Sequence, residues 1–261
     1  MALHTVGSSS TASSGIGSLL SLLLLPLMSA GLYPSPAAAE NFDAAYRATL
    51  VGLTVGEARL TGSVADGTYT MRLNGKSSMV GFSNQFDAVA AGKSRNTTLL
   101  PQSYKLAMRG RQVRTVAINF AADRAAQIVI DPLPAAADLQ GRLPIELQHQ
   151  IGVLDPLSAV MSRILSASQT TSPCEGVTRV FSGQMRFDVS LTASDLALDE
   201  IICRVTYQPI AGHKPAERSR RTPPSIVVAF PKTARDGELR LPDRIEFPLP
   251  LGTVVIKRVR T

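Results

Sequence analysis

The chain has 261 residues and a formal net charge of +7, with 27 Lys and Arg against 20 Asp and Glu. Aromatic residues make up 5% of the chain and Trp is absent, so a platform for stacking bases or sugars is not supported. The basic residues are spread along the chain rather than interleaved with aromatics, so we expect no nucleic-acid partner.

The N-terminal segment has the composition of a secretory leader. Its first 39 residues contain no Lys, Arg, Asp or Glu, and a short apolar core at 19–25 precedes Ala37-Ala38-Ala39. This order is typical of a cleaved signal peptide, and the core is shorter than the roughly 20 residues of a membrane-spanning helix. We expect residues 1–39 to be removed and residues 40–261 to form one β-rich exported domain in the periplasm, without a transmembrane span. The polar run from Ser8 to Ser18 leaves a later start of the reading frame open.

Short alternating segments follow the leader. They predict strands at 46–51, 55–61, 69–73, 99–108, 113–120 and 126–130. Predicted turns lie at Gly52-Leu53-Thr54, Ala65-Asp66-Gly67 and Asn74-Gly75, and the segment 77–91 is ambiguous. Strands at about ten-residue spacing favour an antiparallel meander that curls into a barrel or sandwich.

One helix stands out in the middle of the chain. Asp155 is a suitable N-cap and Pro156 suits the first helical position. Apolar residues then recur every three or four positions, at Leu157, Val160, Met161, Ile164 and Leu165. We expect a helix over 156–167 that plugs or covers the sheet, with Met161 packing in the core or, alternatively, facing a ligand.

A β-hairpin is predicted after this helix. The segments 177–181 and 184–191 flank Ser182-Gly183, and the second segment alternates strictly, with Met185, Phe187 and Val189 on one face. A two-residue turn would place Val180 opposite Met185 and Thr178 opposite Phe187. The same register would place Cys174 opposite Leu191.

The chain has two cysteines, Cys174 and Cys203. Alternation with Val205 and Tyr207 places Cys203 on a core face as well, so the two side chains point to one apolar layer. In an exported chain this favours a Cys174–Cys203 disulfide over the alternative of two buried thiols.

The remaining segments close the predicted sheet. Strands are expected at 226–230, 244–249 and 253–259, after a loop at 209–224 that is rich in Pro, Gly and charge. That loop carries a cluster of basic residues that is either solvated or in contact with an anion: Lys214, Arg218, Arg220 and Arg221. The predicted fold is mainly β, an antiparallel curved sheet or partly open β-barrel with one short amphipathic helix.

Several of these segments together resemble an exported bacterial family known as domain of unknown function family 3108. The residues that carry the likeness are Tyr46, Gly52 and Val55-Gly56; Asp155-Pro156-Leu157-Ser158; Cys174, Val180-Phe181-Ser182-Gly183 and Phe187-Asp188; and Cys203 with Ala211-Gly212-His213-Lys214. The resemblance covers nearly all of residues 40–261. It implies a cell-envelope protein rich in antiparallel strands and supplies no catalytic residues.

Recognisable catalytic motifs do not emerge from the sequence. His149 and His213 are the two histidines beyond the leader, far apart in sequence, and no G-x-S-x-G elbow or phosphate-binding glycine motif accompanies them. With both cysteines bonded, the chain is short of zinc ligands. We therefore expect no catalytic residues, cofactor or metal.

Three functional hypotheses follow. The first is a non-enzymatic envelope protein whose curved sheet holds an apolar or lipid ligand or a protein partner, with Met161, Met185, Phe187 and Tyr207 as ligand-facing candidates. A shortage of aromatic residues to fill a wide interior favours this hypothesis. The second is a structural or assembly factor without a ligand cavity. The third is a hydrolase whose site the sequence does not reveal.

Overall fold

The computed structural model describes residues 40–79, 82–111, 113–169, 173–196, 199–215, 226–233 and 238–259. All of them belong to one compact unit, Pro36–Thr261. The expected signal peptide, residues 1–39, lies outside the described residues.

Within these residues, thirteen strands form one antiparallel sheet. In chain order they are β1 Glu40–Leu50, β2 Leu53–Ala65, β3 Thr68–Met79, β4 Phe82–Arg95, β5 Thr98–Gly110, β6 Arg114–Ala121, β7 Arg124–Asp131, β8 Val177–Phe181, β9 Arg186–Leu196, β10 Glu200–Ala211, β11 Ile226–Pro231, β12 Arg244–Leu249 and β13 Gly252–Val259. The order across the sheet runs from β7 back to β1, then from β13 back to β8. The sheet is therefore two meanders joined where β1 pairs with β13.

The sheet curls into a nearly closed barrel with a seam between β7 and β8. A short extended segment occupies this seam. The Gly152 N–H donates to the Asp123 carbonyl at the start of β7 (2.8 Å), and the Leu154 N–H donates to the Arg179 carbonyl of β8 (2.9 Å). The Phe181 N–H returns a bond to the Leu154 carbonyl (2.9 Å). The segment thus connects the start of β7 to β8 through backbone bonds and covers part of each sheet edge.

The loop between β7 and β8 also carries three helical segments. They are α1 Ala136–Leu139, a 3₁₀ turn Leu147–Gln150 and α2 Pro156–Gln169. As the sequence predicted, Asp155 caps α2, because its Oδ1 accepts the N–H groups of Leu157 (3.0 Å) and Ser158 (2.9 Å).

Helix α2 lies inside the barrel. It packs against β3, β4, β5 and β8, and the buried side chains of Leu157, Met161, Ile164 and Leu165 join the main core. Inward residues of the first meander meet them there, among them Tyr69, Met71 and Tyr104. The helix therefore fills the half of the interior that faces β3 to β5.

The predicted fold class is confirmed: the chain is mainly antiparallel β, barrel-like, with one helix of appreciable length. One local prediction is wrong. Asn74-Gly75 is not a turn, because β3 runs straight through both residues. The segment 77–91, left ambiguous by the sequence, belongs to β3 and β4 with residues 80 and 81 between them.

The predicted hairpin register is also wrong, by two residues. Val180 pairs with Phe187 and Thr178 with Val189, because the loop has four residues, Ser182 to Met185, rather than two. Backbone and side-chain bonds between Ser182 and Met185 close this loop. A shift of two leaves every side chain on its predicted face. Cys174, however, lies before β8 rather than on it.

Candidate functional site

A buried polar cluster fixes the start of α2 inside the barrel. Asp155 is fully buried, and its Oδ2 accepts a hydrogen bond from Ser158 Oγ. The Ser158 Oγ lies 2.6 Å from the hydroxyl of Tyr69 on β3. Because the single Ser158 proton is given to Asp155, the Tyr69 hydroxyl is the donor in that second bond.

Burial sets the proton affinity of this cluster. Loss of solvent raises the pKa of Asp155 to about 6, although the hydrogen bonds from Ser158 and Leu157 oppose the rise. Burial also raises the pKa values of Tyr69 and Tyr104, whose hydroxyls stay protonated. These groups lie within the core, so the cluster is a structural anchor for the helix rather than a site that substrate reaches.

The other side of α2 faces an empty space, which we call the central cavity. It has a volume of about 240 Å³ and lies between α2 and strands β8 to β12. The helix contributes Pro156, Ala159, Val160, Arg163 and Ile164 to its wall. The strands contribute Thr178, Val180, Phe187, Val189, Leu191, Val205, Ile226, Val228, Phe230 and Ile245, and Pro242 precedes β12. Among the described residues of this wall, only Arg163 and Thr178 are polar.

Both polar residues of the wall have unmet hydrogen-bonding capacity. The Arg163 Nη1 donates to the Glu175 carbonyl (2.7 Å), and burial lowers the pKa of its guanidinium. The Arg163 Nε and the Thr178 Oγ1 are buried without a partner among the described residues. Buried polar atoms are nearly always bonded, so two exceptions at one cavity wall favour an occupant with a polar group.

A second space, which we call the end cavity, follows the first along β12. It has a volume of about 360 Å³, and its wall includes Tyr46, Phe86, Phe247, Val254 and Ile256. Ile245 of the central cavity pairs with Ile256, and Phe247 is the next inward residue of β12. The two cavities are therefore neighbours in the barrel interior. Glu57 and Lys76 also line the end cavity.

The four ligand-facing candidates occupy different places. Phe187 lines the central cavity. Met161 lies on the opposite side of α2, fully buried in the main core. Met185 lies in the four-residue loop before β9. Tyr207 contacts Phe187, with ring centroids 4.8 Å apart and the ring planes tilted by 36°, so it lies beside the wall of the cavity.

The candidates for anion contact are only partly described. Lys214 is exposed, just after β10. Arg218, Arg220 and Arg221 lie outside the described residues. The basic loop stays a prediction.

The two cysteines lie at disulfide-bonding distance, as the sequence predicted. Their Cα atoms are 5.0 Å apart and the bond joins β10 to the segment before β8. Ala167 near the end of α2, Leu191 and Phe230 pack around them in a second buried cluster. The disulfide therefore ties the chain that leaves α2 to the wall of the central cavity.

The two histidines are apart and make different contacts. The Nδ1 of His149 accepts the Glu146 N–H (3.0 Å). His213 is buried, and its Nε2 lies 3.0 Å from the Tyr207 hydroxyl. Within the described part of the chain, no group of three or more His, Cys, Asp or Glu side chains is placed to hold a metal ion.

Comparisons with known proteins add nothing to this geometry. No family model, curated protein or solved structure matches the chain. The resemblance to family 3108 stays an expectation from the sequence. None of the helices in the described residues has the length and apolarity needed to cross a membrane.

Proposed function

We propose that the protein is a non-enzymatic component of the bacterial envelope, exported to the periplasm, that holds an apolar ligand such as a lipid acyl chain inside its barrel. The observation that carries this proposal is the central cavity. It is an apolar space of about 240 Å³ beside a helix whose other side is fully packed.

The two halves of the barrel interior are packed differently. Protein cores are close-packed, and a void costs stability in proportion to its volume. The half of the barrel that faces β3 to β5 obeys this rule, with Tyr69, Met71 and Met161 each at most 1% exposed. The half that faces β8 to β12 leaves a space of about 240 Å³ beside α2. An apolar molecule in this space would supply the missing contacts.

The size of the cavity limits the ligand. Pockets for drug-sized molecules measure about 300–1,000 Å³, so the central cavity suits one alkyl chain rather than a bulky ring system. The end cavity, at about 360 Å³, would offer further space for the ligand toward the end of the barrel. Val160 lines the central cavity and is 42% exposed, so the wall has a side that solvent and ligand reach.

The polar atoms of the cavity wall indicate that the apolar ligand has a polar head group. A fatty acid, or another acyl lipid with a compact polar head, would supply acceptors and donors near the start of β8. Arg163 and Thr178 both lie there, since Arg163 bonds to the Glu175 carbonyl and Thr178 is the second residue of β8. A guanidinium beside an apolar space favours an acidic head group over a neutral one.

Direct binding tests the proposal. Protein purified from the envelope without detergent should carry an adduct of acyl-lipid mass in native mass spectrometry. After delipidation it should take up cis-parinaric acid, a fluorescent fatty acid without a ring, saturably and at one probe per chain, and unlabelled fatty acid should displace the probe. Absence of saturable uptake, together with no adduct, would reject the ligand-binding function. It would favour the second hypothesis, a structural or assembly factor without a ligand cavity.

A further inference from the structure

One end of the barrel carries exposed apolar side chains on its turns. In an antiparallel meander, alternate turns lie at opposite ends of the sheet. The β1–β2 and β5–β6 turns share one end, and the β12–β13 turn joins them, because β1 pairs with β13 with Leu50 opposite Val254. We call this the apolar end and define it by five exposed residues: Val51, Leu53, Val113, Leu249 and Leu251.

These side chains project into solvent rather than pack. Val51 and Leu251 are each 75% exposed, and Leu53 is 73% exposed. At the opposite end the turns consist of polar or small residues, Asp66-Gly67, Asn96-Thr97 and Ala122-Asp123. The β1–β2, β5–β6 and β12–β13 turns therefore differ from these three turns in carrying exposed apolar side chains.

Val51 occupies a backbone position that its residue type disfavours. Its φ is +48°, and Gly52 follows at +79°. Asn, Asp and Gly suit such a turn, whereas a β-branched residue at positive φ is a genuine outlier. Asp66 and Asn96 fill the equivalent positions of two other turns in this chain. Since Val51 is exposed, burial in the barrel does not offset its strain, and such strain points to a function of the side chain.

The turns β1–β2 and β12–β13 touch each other. A Cβ atom placed on Gly252 would come within 2.9 Å of the Val51 Cγ2 and 3.5 Å of the Leu50 Cδ1. Gly252 therefore lets the two turns lie side by side. Their apolar residues form one projecting tip rather than separate exposed side chains.

Positive charge lies behind this tip. On β1 to β5 and the turn after β5, the described charged residues nearest the apolar end are Arg47, Glu57, Lys76, Arg109 and Arg111. Glu57 pairs with both Arg47 (3.7 Å) and Lys76 (3.5 Å), so the group has a surplus of cations. An apolar tip with cationic side chains on the neighbouring strands matches an anionic bilayer surface, which offers apolar chains beneath a layer of negative head groups.

The end cavity reaches the same end of the barrel. Leu249 belongs to the apolar end and also lines the end cavity, together with Val254. The end cavity therefore lies beside the tip. A surface that rests on lipid would bring this cavity close to the acyl chains.

We propose that the apolar end docks on an anionic lipid bilayer, with Val51, Leu53 and Leu251 inserted at the level of the head groups. The inference goes beyond ligand binding and does not need an occupied cavity. A projecting tip of five side chains is small for a protein interface, which buries about 800 Å² on each partner. An anionic bilayer fits the shape and charge of this tip better than a protein partner does.

Vesicle binding tests the docking surface. Exported protein purified from the envelope is mixed with vesicles of phosphatidylethanolamine and phosphatidylglycerol, or of phosphatidylcholine alone, and sedimented. Wild type should partition to the anionic vesicles and much less to the neutral ones. Each exposed leucine contributes about tenfold or more to partitioning, so Leu53→Ser with Leu251→Ser should reduce it by about a hundredfold. Leu100→Ser, at a leucine 49% exposed near the opposite end, is the matched control and should bind as wild type.

A second variant separates docking from folding. Val51→Asn removes backbone strain, so it should raise the melting temperature while it weakens vesicle binding. Because the chain has no Trp, Leu251→Trp provides a single reporter whose emission should shift to the blue on anionic vesicles.

Two results would overturn the inference. One is equal vesicle binding by wild type and the double serine variant. The other is absence of vesicle binding by wild type. If wild type is then a dimer and the double serine variant a monomer, the tip is an interface between two copies of this chain. Ligand uptake measured on the same preparations reports on the proposed function separately, since neither serine substitution touches the central cavity.

Discussion

Tyr69 and Ser158 join the barrel wall to the helix through a hydrogen bond of 2.6 Å between their hydroxyl oxygens, across 89 residues of sequence. Tyr69 is 1% exposed and Ser158 is fully buried. The bond continues from Ser158 to the Asp155 carboxylate, so a strand, a helix and a helix cap are held by one chain of polar groups.

Removal of the Tyr69 hydroxyl should destabilise the domain modestly. Tyr69→Phe keeps the ring and leaves Ser158 Oγ without a donor, which costs about 1–2 kcal/mol. Ser158→Ala breaks both bonds, and the double variant should show a coupling of about 1 kcal/mol in urea unfolding. Fully additive losses would show that the two hydroxyls do not act together.

Asp155 should make stability depend on pH. Its pKa in the folded protein, about 6, lies above the ordinary 3.8. The folded state therefore binds the proton more tightly, and the contribution of this group to stability is lost as the pH rises from about 4 to about 6. The shift corresponds to at most about 3 kcal/mol.

The substitution Asp155→Asn isolates this effect. The amide oxygen still accepts the N–H groups of Leu157 and Ser158, but the side chain no longer titrates. Between pH 4 and 6.5, the unfolding free energy of wild type should fall relative to that of Asp155→Asn. Parallel curves for the two proteins would contradict a raised pKa.

Loss of the Cys174–Cys203 bond should lower stability more than any single hydrogen bond does. The bond closes a loop of about 30 residues, for which the chain-entropy relation gives about 3.5 kcal/mol. Cys174→Ser with Cys203→Ser should reduce the unfolding free energy by about that amount. Thiol labelling of unfolded, unreduced wild type should find no reactive cysteine, and full labelling of both would refute the bond.

A bulky side chain in the cavity wall should displace the ligand. Val160→Trp places an indole in the central cavity from a position that is already 42% exposed, so the fold should tolerate it. Affinity for the acyl probe should fall by about tenfold or more, since the indole occupies the space of the chain. Val177→Trp is the matched control, because Val177 is 62% exposed and lies outside the described wall of the cavity. Equal affinities of the two variants for the acyl probe would show that the probe does not bind in the central cavity.

The fold class could be predicted because its signals are local. Period-two alternation, turn residues and the Asp155-Pro156 cap each act within a few residues, and the structure has the elements they indicate. The inward face of Phe187 followed from alternation alone, and an error of two residues in register left it unchanged.

The errors arose where a distant neighbour decides the local structure. Asn74-Gly75 has the composition of a turn, yet a Cβ on Gly75 would lie 2.5 Å from the Glu57 carbonyl oxygen and 2.6 Å from the Phe86 ring. Gly75 thus permits close approach within the sheet rather than a reversal of the chain. Neither neighbour can be identified from the glycine and its flanking residues.

The sequence suggested an interior that holds a ligand, from the shortage of aromatic residues, but the position and wall of the central cavity were beyond sequence reasoning for a similar reason. Its existence depends on the position of α2 across the barrel, which the packing of Met161 and Leu165 on one side determines. The role of Arg163 was missed, although a signal was present. Arg163 follows Val160 by three residues, so helical spacing places the two on one face.

The pairing of β1 with β13 has a consequence for how the chain folds. The Tyr46 hydroxyl, for example, bonds to the Pro242 carbonyl across 196 residues (3.0 Å). Contacts this remote in sequence raise the contact order and slow folding. Each meander can form from local hairpins, but the barrel closes only after the chain has been synthesised as far as β13. Until then β1 offers an unpaired edge, at which the incomplete chain is open to pairing with another strand.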